Sequence, residues 1–238
     1  MRIIVAIVAA AVVWSAEAWA CKPVRGYRIP FNFELVKEAD LIVLARVKNG
    51  PSHFDVQALA PPAAPNSNLT PPQQGVTLIP IQVLKGRLPP GELRVVGVTS
   101  DFTHFGKPAP LVVTKLNEAH PSSYEGSCVR EVYPIGGMLI AMFRNTGIGP
   151  VQLNHPFARQ IEDVENADGV WVRAVRLYVK VLSQPARWTR RAALAAAERS
   201  LMSGGNNPGD AAIANDIRSY LDHHSLHGLR SMEPGGVP

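Results

Sequence analysis

Apolar and polar positions divide the chain into stretches of different rhythm. Residues 3 to 14 form one unbroken apolar run. Between residues 40 and 145 the apolar residues come in short runs and alternations, separated by segments rich in Pro, Gly and Asn. From Asp168 onward they recur every three or four positions. These rhythms predict a hydrophobic leader, a set of β-strands and a set of amphipathic helices.

The middle stretch opens with "FNFELVKEA", which places Phe33, Val36 and Lys37 near one side of a short helical turn. "DLIVLARV" follows from Asp40 and reads as a strand buried on both faces, ended by the turn residues "NGP". Residues 51–75 are dominated by Pro, Asn, Gln and Ala and offer little to pack, so they are predicted to form a long exposed loop. "VTLIPIQVLKG" is a strand with an edge or a bulge at Pro80, because proline removes a ladder donor. "RLPPGELRVVGV" supplies a turn and a second strand of a hairpin, and "APLVVTKL" a third strand. The polar loop "NEAHPSSYEGS" leads to Cys128, and "GGMLIAMFRN" is a strong strand. Four or five strands, irregularly spaced and lacking the crossover helices of a parallel sheet, predict an antiparallel barrel or sandwich.

The tail changes period. "DGVWVRAVRLYVKVLS" puts Trp171, Val175, Tyr178 and Leu182 on one helical face, with Asp168 as the expected cap. "TRRAALAAAERSLMSGG" is an Ala-rich helix expected to start at Thr189 and stop at Gly204-Gly205. "NPGDAAIANDIRSYLDHH" gives a third helix, with Ile213, Ile217 and Leu221 four residues apart. Trp171, Trp188 and Leu201 are the residues expected to bury these helices against the sheet. The last residues, 228–238, are expected to fray.

The leader consists of Arg2, the run Ile3 to Trp14, a polar stretch with Ser15 and Glu17, and Ala18-Trp19-Ala20, the three-part layout of a secretory signal. Spanning a bilayer takes roughly 20 apolar residues. Residues 1–20 are therefore read as a signal peptide, and the mature protein as starting at Cys21, exported to the periplasm or the extracellular space, without a membrane span. The net charge of +5 is spread along the chain. Its densest cluster, "ARWTRRAALAAAERS", reads as the solvated side of a helix, so no nucleic-acid partner is expected.

The two cysteines, Cys21 and Cys128, admit one intramolecular pairing. An oxidising compartment favours that bond, and closing a loop of about 100 residues stabilises a fold by up to about 4.7 kcal/mol in the chain-entropy model. A lipid anchor on Cys21 is the competing reading, although Ala18 and Trp19 are a poor lipobox. Other chemistry is sparse. His223, His224 and His227 in "HHSLH" are weak metal candidates, since His223 and His227 are four apart on a helix, but no HExxH base accompanies them. His53, His104, His120 and His155 are scattered in expected loops. There is no G-x-S-x-G, and Gly136-Gly137 and Gly204-Gly205 are turn and stop signals. No enzyme activity, no cofactor and no resident metal is expected.

Three pieces, in order, carry a resemblance. "CKPV", then "FELVKEADLIVLARV", then "VLKG" followed far on by "GSCVREVYPIGGMLIAMF" resemble the netrin-like module of tissue inhibitors of metalloproteinases and their bacterial relatives, over about residues 21 to 145. The resemblance implies a five-stranded OB-type barrel over residues 21–150, and the helical spacing of the tail adds a C-terminal helical segment over 151–227. It also implies that Cys21 pairs with Cys128, stapling the N-terminus to the barrel. In the inhibitors of this family the freed α-amino group and the carbonyl of the first Cys chelate a protease's zinc, filling the position that catalytic zinc leaves open. Carried over, Cys21 and Lys22 would meet the zinc and the specificity pocket of a periplasmic or extracellular metalloprotease. The leading expectation is broader, an exported binding module with a protein partner. Its surface is expected to be the free N-terminus, the loop from Pro51 to Gly75 and the loop from Thr99 to Pro110.

Overall fold

The computed structural model describes residues 23–51, 75–101, 132–147, 149–204 and 207–230, together with Leu116, Ser123, Cys128 and Val129; the side chains of residue 101 and of 226–230 are excluded. Among them the chain is a mixed β and α structure, with a six-stranded antiparallel sheet and four helices.

Helix α1 (Asn32–Glu38) is the short turn expected before the first strand. Its first turn is satisfied by Glu34, which accepts the Phe31 N–H at 3.0 Å and is itself held by both outer nitrogens of Arg28. Phe33, Leu35 and Val36 are buried, whereas Lys37 points to solvent. The helix stops where Ala39 turns extended, and the ammonium of Lys85 donates to the carbonyls of Val36, Lys37 and Ala39. A cation at a helix C-terminus meets the negative end of its dipole and supplies donors to carbonyls that have no partner inside the helix.

Strand β1 (Leu41–Asn49) runs through the centre of the sheet and pairs antiparallel with β2 (Gly75–Lys85) on one side and β6 (Met138–Thr146) on the other. Leu41, Val43, Ala45 and Val47 enter one core, and Ile42 and Leu44 enter another. A strand buried on both faces cannot alternate apolar with polar residues, which is why "LIVLA" is continuous. The register between β1 and β2 shifts between Leu44 and Ala45, opposite Pro80 and Ile81, so the irregularity expected at the proline is present.

Beyond β2 lies β3 (Leu93–Val96), giving the order β3-β2-β1-β6-β7 with β7 (Gly149–Gln152) on the far side. A further strand, β8 (Ile161–Asp163), pairs with the first half of β6 while β7 pairs with its second half. A separate parallel pair joins β4 (Thr99–Asp101) to β5 (Val132–Pro134). Sequence periodicity gives no strand beyond residue 145, whereas β7 lies across the boundary at residue 150 and β8 within the stretch 151–227 read as helical. Elements of three or four residues are too short to show a period.

Helices α2 (Val170–Leu182), α3 (Arg187–Ser203) and α4 (Pro208–Arg230) follow as the periodicity predicts. Their ends differ in detail. Gly169, not Asp168, caps α2, and the Asp168 carboxylate accepts from Arg176 at 3.2 Å instead. Helix α3 begins two residues before Thr189, whose hydroxyl oxygen accepts the Ala186 N–H at 3.2 Å from inside the first turn. The backbone of α4 continues to Arg230, so the helix includes residues 228–230 of the stretch expected to fray.

Helix α2 buries Trp171, Val172, Val175 and Tyr178 against α1 and the outer face of the sheet. Helix α3 packs mainly along α4 and buries only Leu194 fully. Trp188, expected in the core, is 74% exposed, because the face of α3 that carries it turns away from α4. Leu201 is partly buried, as its helical spacing requires. Among the described residues no helix is long and apolar enough to cross a membrane.

Candidate functional site

The chain ahead of α1 and Cys128 meet at Phe157. Tyr27, Ile29 and Cys128 each pack against the buried ring of Phe157, the Tyr27 hydroxyl donates to the Pro156 carbonyl at 3.0 Å, and the Phe157 N–H donates to the Cys128 carbonyl at 2.7 Å. Cys128 and Phe157 both adopt positive φ, 64° and 59°, a conformation that side-chain-bearing residues hold only when their surroundings fix it. Among the described residues no cysteine is free. Cys21 and Lys22 lie outside the described residues, as do residues 52–74 and 102–110 of the two expected loops, whereas Gly75 opens β2 and Thr99–Asp101 form β4.

Among the described residues, parts of the sequence pieces that carry the resemblance touch one another. Lys85 of "VLKG" closes the C-terminus of α1, formed by "FELVKEA", as described above. Gly86 follows at φ 81°, and any Cβ there would collide with the Asp40 carbonyl, so the position requires glycine on both counts. "PIGG" is laced to the end of β1, since the Gly136 N–H donates to the Val47 carbonyl and the Val47 N–H to the Gly137 carbonyl.

The two outer strands of the sheet come together through a side chain. The amide of Gln152 on β7 accepts the Val96 N–H at 2.6 Å and donates to the Val96 carbonyl on β3. A carboxamide presents a donor and an acceptor side by side, as a backbone residue does, so Gln152 ties together two edges that no ladder joins. Beneath this seam a cavity of about 120 Å³ is lined by Tyr133, Gln160 and Glu162 among others. Gln160 donates to the His155 carbonyl at 2.9 Å, and Tyr133 to the Ile161 carbonyl at 3.1 Å.

A polar cluster is buried between the helices. Asp216 of α4 accepts from Asn32 of α1 at 3.0 Å and from the Tyr178 hydroxyl of α2. Asn32 and Arg159 both donate to the Leu116 carbonyl, at 2.8 and 3.0 Å. Burial raises the Asp216 carboxyl above its ordinary value, opposed by the Tyr178 and Asn32 hydrogen bonds and the charge of Arg159. Burial and the facing Asp216 push the Tyr178 hydroxyl well above its usual value, so it remains a donor. Both oxygens of Asp216 are engaged, so the cluster reads as a joint between three helices.

The histidine cluster forms an aromatic stack. His223 and His224 lie 5.2 and 6.0 Å from the ring of Phe31, and His224 lies 4.3 Å from that of Tyr220. His224 approaches Glu34 at 3.5 Å. The His227 side chain lies outside the described residues, and among the described residues no group of three His, Cys, Asp or Glu side chains could hold a metal ion. His155, expected in a surface loop, is half-buried and pairs with Glu38 at 3.0 Å. His53, His104 and His120 lie outside the described residues. Sequence reasoning missed Gln152, the role of Lys85 at the end of α1 and the joining of Asn32 and Tyr178 to Asp216, because each acts on a residue far away in the chain. No family model, curated protein or solved structure matches the chain.

Proposed function

We propose that the protein is an exported, non-catalytic binding module of netrin-like design, whose mature N-terminus at Cys21 is stapled through Cys128 to an OB-type barrel. The observation that carries this reading is the packing of Tyr27, Ile29 and Cys128 on one ring, that of Phe157, with Tyr27 standing six residues after Cys21 in the sequence. The seam made by Gln152 supports the barrel, because it joins the two strands that an open sheet would leave apart. The contacts among the motif pieces support the family, because the same residues that define the resemblance hold α1, β1 and β6 in place.

A module of this kind presents its N-terminal segment and neighbouring loops as one surface, and the partner is a protein. The test is the intact mass of the secreted chain before and after reduction. A start at Cys21 with a gain of about two mass units, the two hydrogens taken up by one disulfide, is expected. A mass increased by acyl chains would replace this reading with a lipid anchor.

A further inference from the structure

We propose that the cleft between α1, α3 and α4 binds a small organic anion with an apolar body, such as an aryl carboxylate. A cavity of about 220 Å³ opens there. Phe33 and Leu194 are buried at its base, with Leu182 beside them, so the interior offers apolar surface. Four permanent cations surround it: Lys37 from α1, and Arg187, Arg190 and Arg191 from the first turns of α3. The basic run of α3, which in sequence looks like a solvated face, is thus folded over a pocket opposite a lysine from the other end of the chain.

The charge balance favours an anion. The one carboxylate lining the cleft, Glu34, is already occupied by Arg28 at 2.7 and 3.0 Å and by the Phe31 N–H. Burial acts to raise its carboxyl, yet those bonds, the Arg28 charge and His224 hold it below its usual value. Among the described residues none of the four cations is ion-paired with a carboxylate. Burial and Glu34 raise the Tyr220 hydroxyl above its usual value, and the charges of Arg187, Arg191 and Arg28 oppose that rise.

The site is also preorganised. Arg190 donates to the carbonyls of Gln184 and Pro185 at 2.7 and 3.3 Å, and Arg191 donates to Ser225 on α4. A guanidinium held by backbone carbonyls loses less freedom when an anion arrives. The volume lies below the roughly 300–1,000 Å³ of drug-sized pockets, which limits the occupant to about one ring or a short chain. Paired guanidinium groups suit a carboxylate, and the buried Phe33 and Leu194 suit a body that an inorganic anion lacks.

Calorimetric titration of the whole protein with benzoate, benzamide and inorganic phosphate tests this. Saturable benzoate binding is expected, weakened about tenfold or more in the Lys37→Gln/Arg187→Gln double variant, with benzamide and phosphate binding much more weakly. Both substituted side chains are exposed, and an unchanged melting temperature would show that the variant is folded. If the variant melts lower, 0.5 M salt replaces it and must abolish benzoate binding in the unaltered chain, as screening of an exposed site requires. Absence of saturable benzoate binding would overturn the proposal, as would benzamide or phosphate matching benzoate, or benzoate binding undiminished in the folded variant or, where salt replaces the variant, undiminished by the salt.

Discussion

The core on the inner face of the sheet and the seam under the helices both exclude water, yet they are held by different means. Inside the sheet, Leu41, Val43, Val76, Val95, Leu139 and Phe143 meet in one apolar cluster. Under the helices, an apolar layer is threaded by Asn32, Tyr178, Asp216 and Arg159, and α1 is pinned by an ammonium group. Apolar burial is non-directional, so it drives collapse without choosing which helix face sits where. Directional hydrogen bonds from α1, α2 and α4 to one carboxylate supply that choice. The lesson is that the sheet is stabilised by area, and the helical layer is oriented by a few bonds.

The largest test of the contrast sits within the helices. Trp171→Ala is expected to cost about 3–5 kcal/mol in denaturant unfolding, the range for emptying a buried aromatic site, because Trp171 is only 2% exposed. Trp188→Ala, at 74% exposure, should stay within about 0.5 kcal/mol of the unaltered chain. Equal effects would place α3 against the core and break the description of the layer.

Next in size is Asp216→Ala, which leaves the Tyr178 hydroxyl and the Asn32 amide without their shared acceptor and should cost at least about 2 kcal/mol. Its titration gives a sharper signature. The folded-state carboxyl is raised above 3.8, so between that value and the folded one the native state holds the extra proton. Stability from this group therefore falls as pH rises through that window and levels off above it. Glu34, whose folded-state carboxyl lies below 4.5, acts in the opposite sense: its contribution is present above 4.5 and is lost as pH falls through its folded value. Asp216→Asn should remove the falling arm, and Glu34→Gln the rising one, in stability measured from pH 2 to 8. An Asp216→Asn variant with the unaltered pH profile would mean that this carboxylate is not the buried joint.

The smallest of these effects is at Lys85. Lys85→Met keeps the bulk of the side chain but leaves the carbonyls of Val36, Lys37 and Ala39 without their donor, and about 1–2 kcal/mol should be lost. Faster amide exchange in α1, with β1 unchanged, would locate that loss.

How much of this was legible in the sequence follows the same division. β1 and β6 are readable because burial on both faces leaves a continuous apolar run, and α2 because Trp171, Val175, Tyr178 and Leu182 keep helical spacing. Pro80 announced the irregularity in β2, because a missing N–H has local consequences. The joint at Asp216 was not readable: an Asp among polar neighbours on α4 looks solvated until Asn32 and Tyr178 are brought to it by the fold. Trp188 misled for the converse reason, since an aromatic residue in a helix signals burial only if its face meets a partner. The cleft cations were visible as residues but not as a site, because Lys37 and Arg187 come together only when α3 folds back over α1.

The proposal that a bond from Cys21 to Cys128 holds the N-terminal segment on the sheet is tested by hydrogen exchange in the unaltered chain and in Cys128→Ser. The Tyr27 N–H, bonded to the Val24 carbonyl, and the Phe157 N–H, bonded to that of Cys128, report on the staple, while the amides of β1 and β6 report on the sheet. The account predicts that the substitution accelerates exchange at Tyr27 and Phe157 and leaves the paired amides of β1 and β6 protected. Unchanged protection at Tyr27 and Phe157 would contradict it.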